Sequence, residues 1–388
     1  MREALEGSQA IARAVSLCKP DVVAAYPITP QTHIVENISK LVAEGDLHTE
    51  FVSVESEFSA ASVVLGAAAA GARAYTATAS QGVLLMAEVL FNIAGMRIPL
   101  VMTVANRAVS APLSIWNDHG DSMAVRDSGW IQLHAADNQE AVDTTIQAFR
   151  ITQETELPVM VCMDGFILTH TLEVIDLPEQ SVIDDFLPAF EFNRRLDPAD
   201  PKSLGTLVDP GYFAEVRHSH HAAMQKALSV IKDTDSAWET ATGRACGGLL
   251  TVEGDPGAAV GIVAMGSTVG TLRAGMAHTP EAGPAKLIKL RAFRPFPTQA
   301  LIEATQGLDH LIVIDRAISP GLGGILGTEI AAILADVPNA PKIHNHALGL
   351  GGRDIPETIY ADLIEAIKDP DAPLIFDADM AKLAPEDR

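Results

Sequence analysis

The chain contains little cysteine: Cys18, Cys162 and Cys246 are the three among its 388 residues. None of them stands in a C-x-x-C spacing, so the sequence predicts neither a zinc site nor an iron-sulfur cluster built within this chain. Such scarcity fits a reducing compartment, where thiols stay buried and free. We therefore expect any redox centre that serves this protein to lie on another chain.

Long apolar runs and clustered positive charge are also missing. No run reaches the ~20 uncharged residues that span a bilayer, and residues 1–6 lack the charged and apolar regions of a secretory signal. The formal net charge of -23 disfavours nucleic acid, because phosphate binding depends on clustered Lys and Arg. These absences predict a cytoplasmic protein with no membrane span and no nucleic-acid partner.

Residues 8–163 alternate short β-branched runs with apolar helical stretches. This order is typical of repeated βα units, whose parallel sheet is covered by helices on both faces. The predicted strands are Asp21–Tyr26, Glu50–Val54, Arg73–Thr78, Leu100–Val104, Trp130–His134 and Val159–Met163. The predicted helices are Ser8–Cys18, Pro30–Ala43, Phe58–Ala70, Gln81–Ala94 and Gln139–Thr152. The sequence therefore predicts the α/β class.

A second α/β pattern follows an acidic stretch that contains prolines and histidines. That stretch predicts a connecting region with one helix over Phe213–Lys232, whose cluster of histidines at 218, 220 and 221 forms a solvated face rather than a metal site. The later strands are Val260–Ala264, Lys286–Leu290, His310–Asp315, Lys342–Asn345 and Leu374–Phe376, and the later helices are Thr268–Ala277, Thr298–Ala304, Gly323–Leu334 and Pro356–Ile367. We therefore expect domains at 1–175 and 251–388, joined by a region at 176–250.

Glu57 places a carboxylate between a predicted strand and a very apolar helix, which we expect to be buried on nearly all sides. An unpaired carboxylate in an apolar core is costly, so such a group usually protonates, finds a partner or serves a site. Thr29 before Pro30, and Ser80, offer hydroxyls suited to cap two other helices. All these positions follow predicted strands, at the edge where open α/β sheets bind ligands.

Several short motifs lie at these strand ends and further along the chain. They are Tyr26-Pro27-Ile28-Thr29-Pro30, Glu55-Ser56-Glu57, Thr78-Ala79-Ser80-Gln81-Gly82, Ala105-Asn106-Arg107, residues 114–122, 126–132 and 138–141, Met265-Gly266-Ser267 and residues 349–354. As a set they resemble the alpha subunit of the 2-oxoacid:ferredoxin oxidoreductases, of the pyruvate synthase type. The resemblance implies a thiamine-enzyme pyrimidine-binding domain for residues 1–175 and a transketolase C-terminal-like domain for residues 251–388.

The resemblance implies that Glu57 hydrogen-bonds N1′ of the thiamine diphosphate aminopyrimidine. A proton held there favours the imino tautomer, whose nitrogen can remove the thiazolium C2 proton, so the carboxylate would belong to a general-base relay. Glu55 is the rival candidate for this role, because the period-two alternation of a strand puts it on the same face as Glu57, two places earlier. The alternative for Glu57 is an acid at a helix start that satisfies backbone donors.

Other site residues follow from the same resemblance. Arg107 would contact the substrate carboxylate with its planar fork of donors, with a surface salt bridge as the alternative. Thr29 would bind substrate or cofactor, or only cap its helix. The remaining expected cofactor contacts are Ile28, Ser80 and Gln81. The roles of Asp118, His119 and Asp121 stay open between chemistry and holding the shape of their loop.

One more absence bears on the cofactor. Thiamine enzymes usually hold Mg2+ and the diphosphate through a G-D-G element, and this chain has none. The metal and diphosphate should therefore belong to a beta subunit that shares the thiamine diphosphate, with no metal ligand in this chain. The resemblance further implies gamma-type and delta-type subunits with iron-sulfur clusters, coenzyme A as cosubstrate, ferredoxin or NAD as acceptor through partners, and a dimer of heteromers.

The expected reaction is oxidative decarboxylation of a 2-oxoacid to its acyl-CoA, with pyruvate as the first substrate. An aryl 2-oxoacid such as phenylglyoxylate, or oxalate, remains an alternative, because pocket size depends on loops that the sequence does not place. Two alternatives belong to other classes. One is a noncatalytic scaffold subunit, and the other is a transketolase-type transferase that works without redox steps.

Overall fold

Two mainly parallel β-sheets flanked by helices organise the chain, of which a computed structural model describes residues 2–387. The strands are β1 Arg2–Glu6, β2 Val22–Ala25, β3 Glu50–Ser53, β4 Ala74–Thr78, β5 Val101–Asn106, β6 Ile131–His134, β7 Val159–Asp164, β8 Leu172–Asp176, β9 Leu250–Gly254, β10 Val260–Ala264, β11 Lys286–Leu290, β12 Ala292–Arg294, β13 His310–Asp315, β14 Ile318–Ser319, β15 Gly323–Gly324 and β16 Lys342–Ala347. The α-helices are α1 Gly7–Leu17, α2 Thr32–Glu44, α3 Glu57–Ala69, α4 Gln81–Gly95, α5 Gly120–Ala124, α6 Asn138–Thr155, α7 Gln180–Phe186, α8 Phe213–Thr242, α9 Thr268–His278, α10 Thr298–Ala304, α11 Ile325–Leu334 and α12 Ile359–Ala366.

The larger sheet has seven strands in the order β12-β6-β7-β5-β4-β2-β3, and the smaller has five in the order β16-β13-β10-β11-β9. Neighbouring strands run parallel except where β12 meets β6 and where β9 meets β11. Two small antiparallel pairs, β1 with β8 and β14 with β15, lie outside these sheets. The α/β class predicted from the sequence is confirmed.

Both faces of the larger sheet are buried. Adjacent strand residues point to opposite sides of the sheet, and each side packs into its own apolar cluster. Val101 of β5 packs into one apolar cluster with Ile11 of α1 and Phe149 of α6. Its neighbour Met102 packs into the other with Val64 of α3. Helices α3 and α4 therefore cover the face that Met102 points to, and their first residues lie at the carboxyl edge of the sheet.

Strand β12 ties the two sheets together. It follows β11 of the smaller sheet after a single residue, yet it pairs with β6 of the larger sheet at Ala292 with Leu133 and Arg294 with Gln132. The sequence does not predict this short strand. The domain limits at residues 175 and 251 stay a prediction.

Three local predictions are wrong. Residues 374–376 contribute only an isolated bridge between Ile375 and Ala347, not a strand. Helix α8 ends at Thr242 rather than Lys232, because its later turns bury Trp238 completely against the core. On the same helix His220 is buried, with Nε2 3.2 Å from the carbonyl oxygen of Gly129, so the histidine cluster is not wholly a solvated face.

Helix α3 is less buried than its composition predicts. Phe58 is 40% exposed, and Ser62 and Gly66 on the same side are also exposed. The opposite side packs into the core through Ala61 and Val64. One face of this apolar helix is therefore open in the chain alone.

Across residues 2–387, no helix has both the length and the apolar character that crossing a bilayer requires.

Candidate active site at the sheet edge

Four loops meet at the carboxyl edge of the larger sheet. Thr29 lies beyond β2, Glu57 beyond β3, Ser80 beyond β4 and Arg107 beyond β5. The strands stand side by side in the order β5-β4-β2-β3, so the loops that follow them are spatial neighbours. The structure thus brings the site residues predicted from the sequence to one edge of one sheet, where open α/β sheets bind ligands.

Glu57 is the first residue of α3 and is 7% exposed. The helix is already capped, because the Ser56 hydroxyl accepts a hydrogen bond from the Ser59 N–H at 3.2 Å. Within residues 2–387 the carboxylate of Glu57 takes part in no hydrogen bond or ion pair. The positive end of the helix dipole favours a negative charge at this position, so a buried carboxylate is available there for a bound group.

Glu55, the rival position, is exposed. The prediction that both acids lie on one face of a strand is wrong, because β3 ends at Ser53 and Glu57 already belongs to a helix. Burial, rather than strand alternation, is what distinguishes Glu57 from Glu55.

Gly82 makes room for the Glu57 carboxylate. A Cβ at this position would stand 2.9 Å from Oε1 of Glu57 and 2.3 Å from Oγ1 of Thr78. The Thr78 hydroxyl is itself buried and without a hydrogen-bond partner among the described residues. A carboxylate and a hydroxyl without partners therefore lie side by side next to the first turn of α4.

Thr29 does not cap α2, which corrects the sequence prediction. The helix begins at Thr32 with Gln31 at its N-cap position. Gln31 is fully buried, and its amide donates to the carbonyl oxygen of Ala77 at 2.6 Å while accepting from the Ile28 N–H at 3.2 Å. Because Gln31 holds residues 28–31 in a turn, the exposed Thr29 side chain lies outside the helix.

The Ser80 hydroxyl does not cap α4 either. Ser80 occupies the N-cap position with a φ of 50°, but its hydroxyl donates to the carbonyl oxygen of Ala108 at 2.6 Å and accepts no capping hydrogen bond from the N–H groups of the helix. The neighbouring Gln81 side chain donates to the Ser110 hydroxyl. Both residues therefore tie the start of α4 to the loop that follows β5.

Arg107 is buried at the end of that strand, with 6% exposure. Its Nε donates to the Ser114 carbonyl at 3.1 Å and its Nη1 to the Thr29 carbonyl at 2.9 Å. Burial lowers the pKa of Arg107, opposed by the nearby Asp121. The surface salt bridge considered as the alternative is not found among residues 2–387, and the guanidinium instead joins two loops of the site.

Asp121 is a site residue whose role the sequence left open. Its buried carboxylate accepts hydrogen bonds from the backbone N–H groups of Ser80 at 2.8 Å and Arg107 at 3.0 Å, and from Nδ2 of Asn106 at 2.8 Å. Burial raises the pKa of Asp121 to about 6, although these hydrogen bonds oppose the rise. These contacts are those of a residue that holds the loops after β4 and β5 in place.

Asp164 is the centre of a charge cluster between the two sheets, which sequence reasoning missed. It accepts from Nε2 of His119 at 2.8 Å, Nη1 of Arg316 at 3.0 Å and the Ser267 N–H at 2.9 Å. Burial opposes ionisation, but His119 and Arg316 hold the pKa of Asp164 well below its usual range. The motif Met265-Gly266-Ser267 was the signal that the sequence offered for this cluster. Its glycine lets the backbone approach Asp164, because a Cβ on Gly266 would stand 2.8 Å from Oδ1 of Asp164.

Comparison with known proteins places this geometry in a family. Residues 13–236 match the family described as pyruvate flavodoxin/ferredoxin oxidoreductase, thiamine diphosphate-binding, and residues 258–358 match pyruvate:ferredoxin oxidoreductase core domain II. The first match alone covers more than half of the chain.

Individual relatives agree with these matches. The pyruvate synthase subunit PorA of Methanosarcina barkeri is 46% identical over 94% of this chain and 92% of its own length. The ketoisovalerate oxidoreductase subunit VorA of Pyrococcus abyssi is 37% identical over 95% of this chain and 94% of its own length. A solved 2-oxoglutarate:ferredoxin oxidoreductase from Magnetococcus marinus has the same fold, with a TM-score of 0.74 at 19% identity, covering 94% of this chain but 65% of that longer chain. The chain belongs to the pyruvate:ferredoxin oxidoreductase family.

Proposed function

We propose that this chain is the alpha subunit of a complex that oxidatively decarboxylates a 2-oxoacid, with pyruvate favoured, to its acyl-CoA on thiamine diphosphate. The observation that carries the proposal is the buried carboxylate of Glu57, which lies without a partner in the segment that matches the thiamine diphosphate-binding family. The pyruvate synthase relatives support pyruvate as substrate. The ketoisovalerate relative makes a branched-chain 2-oxoacid the second candidate.

The residues around Glu57 fit the aminopyrimidine of thiamine diphosphate. A buried carboxylate can hold a proton at a ring nitrogen, and the Thr78 hydroxyl beside it can bond a neighbouring polar atom. Ile28, Ser80 and Gln81 lie on adjoining loops and would line the same cofactor. When bound, the cofactor supplies a carbon nucleophile toward the 2-oxoacid carbonyl and takes up the charge left when CO2 departs. Glu57 positions that chemistry by controlling one proton.

The open face beside Glu57 suits the partner that would complete the site. Four apolar side chains on α3 and α4 are exposed: Phe58 at 40%, Leu84 at 38%, Leu85 at 51% and Phe91 at 47%. Contiguous exposed apolar residues usually mark an interaction surface. We assign this face to the beta subunit that carries Mg2+ and the diphosphate. Gamma-type and delta-type subunits with iron-sulfur clusters, a ferredoxin or NAD acceptor and a dimer of heteromers complete the proposal.

Leu85→Asp is expected to weaken association with the beta subunit at least tenfold, because it buries a charge in an apolar contact. Co-purification and analytical ultracentrifugation of the two chains measure the effect. The matched control is Val252→Asp, which places the same charge at a 46% exposed position on β9, in the other sheet. Equal association of both variants would remove the assignment of this face.

Arg107→Ala is expected to raise the KM for the 2-oxoacid about 10- to 100-fold, because a hydrogen bond to a charged group contributes about 1.5–3 kcal/mol. The turnover number should fall less than the KM rises. Arg107→Lys keeps the charge and loses the fork, so it should recover only part of the affinity. An effect confined to thiamine diphosphate affinity would contradict substrate recognition by Arg107.

The proposed function is tested by purifying the complex anaerobically through a tag on this chain. Coenzyme A-dependent dye reduction is then measured with pyruvate, 2-ketoisovalerate, 2-oxoglutarate, phenylglyoxylate and oxalate. We expect the highest kcat/KM with pyruvate. Preference for 2-ketoisovalerate would reassign the substrate, and a complex that holds neither clusters nor thiamine diphosphate would favour the scaffold alternative. Turnover that persists after the clusters are destroyed would favour a transferase.

A further inference from the structure

Glu6, His33 and His170 come together from three separate segments: the end of β1, the first turn of α2 and the turn that connects β7 to β8. Nδ1 of His33 lies 2.8 Å from Oε1 of Glu6. The rings of His33 and His170 lie with their centroids 4.7 Å apart. One donor atom from each of the three side chains is within 4.8 Å of the others. All three are partly exposed, so an ion can reach them and small side-chain rotations are open to them.

We propose that Glu6, His33 and His170 form a binding site for one divalent transition-metal ion of the Zn2+ type. Two imidazoles and one carboxylate are a ligand set that suits Zn2+ and similar ions. Three protein ligands leave a further coordination position for water. The sequence predicts no metal ligand in this chain, because it has neither a C-x-x-C spacing nor a G-D-G element. Glu6, His33 and His170 are distant in sequence and follow no motif spacing. The site is independent of the function proposed above.

Neighbouring residues restrict the position of the His170 ring. The Thr169 hydroxyl lies 2.7 Å from Nδ1 of His170, which leaves Nε2 for the ion. Metal-bound imidazoles usually carry an outer hydrogen bond of this kind on the second nitrogen. Thr169 is fully buried and also accepts from the Phe166 N–H at 2.8 Å. The Phe166 ring packs on that of His170 with centroids 4.7 Å apart.

The test is calorimetric titration of the metal-depleted full chain with Zn2+ alone. We expect one ion per chain with a dissociation constant of about 10 μM or tighter. His33→Ala and His170→Ala should each weaken binding at least tenfold, and Glu6→Gln, which keeps the side-chain shape, should weaken it as well. Saturating Zn2+ should raise the denaturant midpoint of the original chain but not that of His33→Ala.

The matched control is His278→Ala. His278 also pairs with a carboxylate, Glu357, at 2.5 Å, but among residues 2–387 this pair is not part of a group of three metal-ligating side chains. Zn2+ affinity should therefore be unchanged in this variant. The proposal is overturned if the original chain binds no Zn2+ below about 1 mM, or if His33→Ala and His170→Ala bind as tightly as the original chain. Circular dichroism without metal checks that the variants are folded.

Discussion

Replacing Glu57 with glutamine is expected to reduce 2-oxoacid oxidation by the assembled complex by about 100- to 10,000-fold, the range that positioned proton-transfer groups contribute. An amide has nearly the shape of the carboxylate and can still accept a hydrogen bond. It cannot hold a proton at a ring nitrogen, however, and it carries no charge at the start of α3. The turnover number should therefore fall while the subunits stay associated. Dye reduction measured at saturating thiamine diphosphate gives this number.

Glu55→Gln is the matched control, because it makes the same chemical change two residues earlier at an exposed position. Its turnover number should stay within about twofold of the original. Gel filtration of both variants checks that the complex assembles. If Glu57→Gln turns over at a near-normal rate, the proton relay does not involve this residue.

Asp164→Asn is expected to lower the free energy of unfolding by about 3–5 kcal/mol, because removing one partner of a buried ion pair leaves an uncompensated charge. That charge would be on Arg316, which is 2% exposed. The pKa of Asp164 is held below its usual range, so the contribution is present at neutral pH. It declines as the pH falls below the ordinary carboxyl pKa of the unfolded chain, and it is gone once the pH has fallen through the lowered native value in strong acid.

Guanidinium unfolding of the full chain at pH 7 measures this effect as a lower midpoint. Asp184→Asn is the control, because Asp184 is paired with Lys19 at 2.6 Å on the surface, where both side chains are half exposed. Surface pairs contribute little, so that midpoint should not move. A midpoint for Asp164→Asn equal to that of the control would mean that Arg316 finds another partner.

The strands could be predicted from the sequence because their signal is local. Val159–Asp164 and Val101–Asn106 are buried throughout, and a parallel strand covered on both faces is apolar along its length. Glu57 could also be found from its neighbours in the sequence, because it is a carboxylate that lies between a predicted strand and an apolar helix. The loops at the sheet edge and the α/β class followed from this pattern.

What could not be predicted depends on partners that are distant in sequence. Thr29 and Ser80 look like helix caps in their local sequence, yet Gln31 reaches Ala77 and the Ser80 hydroxyl reaches Ala108. Arg316 is 152 residues from Asp164. Propensity and capping rules describe neighbours in sequence, so they do not contain these contacts. The Glu6, His33 and His170 cluster was missed for the same reason.

Strand β12 limits how the protein can move. Arg291, the single residue before it, is fully buried and donates to the side chains of Thr144 at 3.1 Å and Gln147 at 2.9 Å on α6. A hinge between the two sheets would have to break these bonds and unpair β12 from β6. Rigid-body opening of one sheet from the other is therefore costly, and we expect gating during turnover at the loops of the sheet edge, such as the exposed residues 110–113.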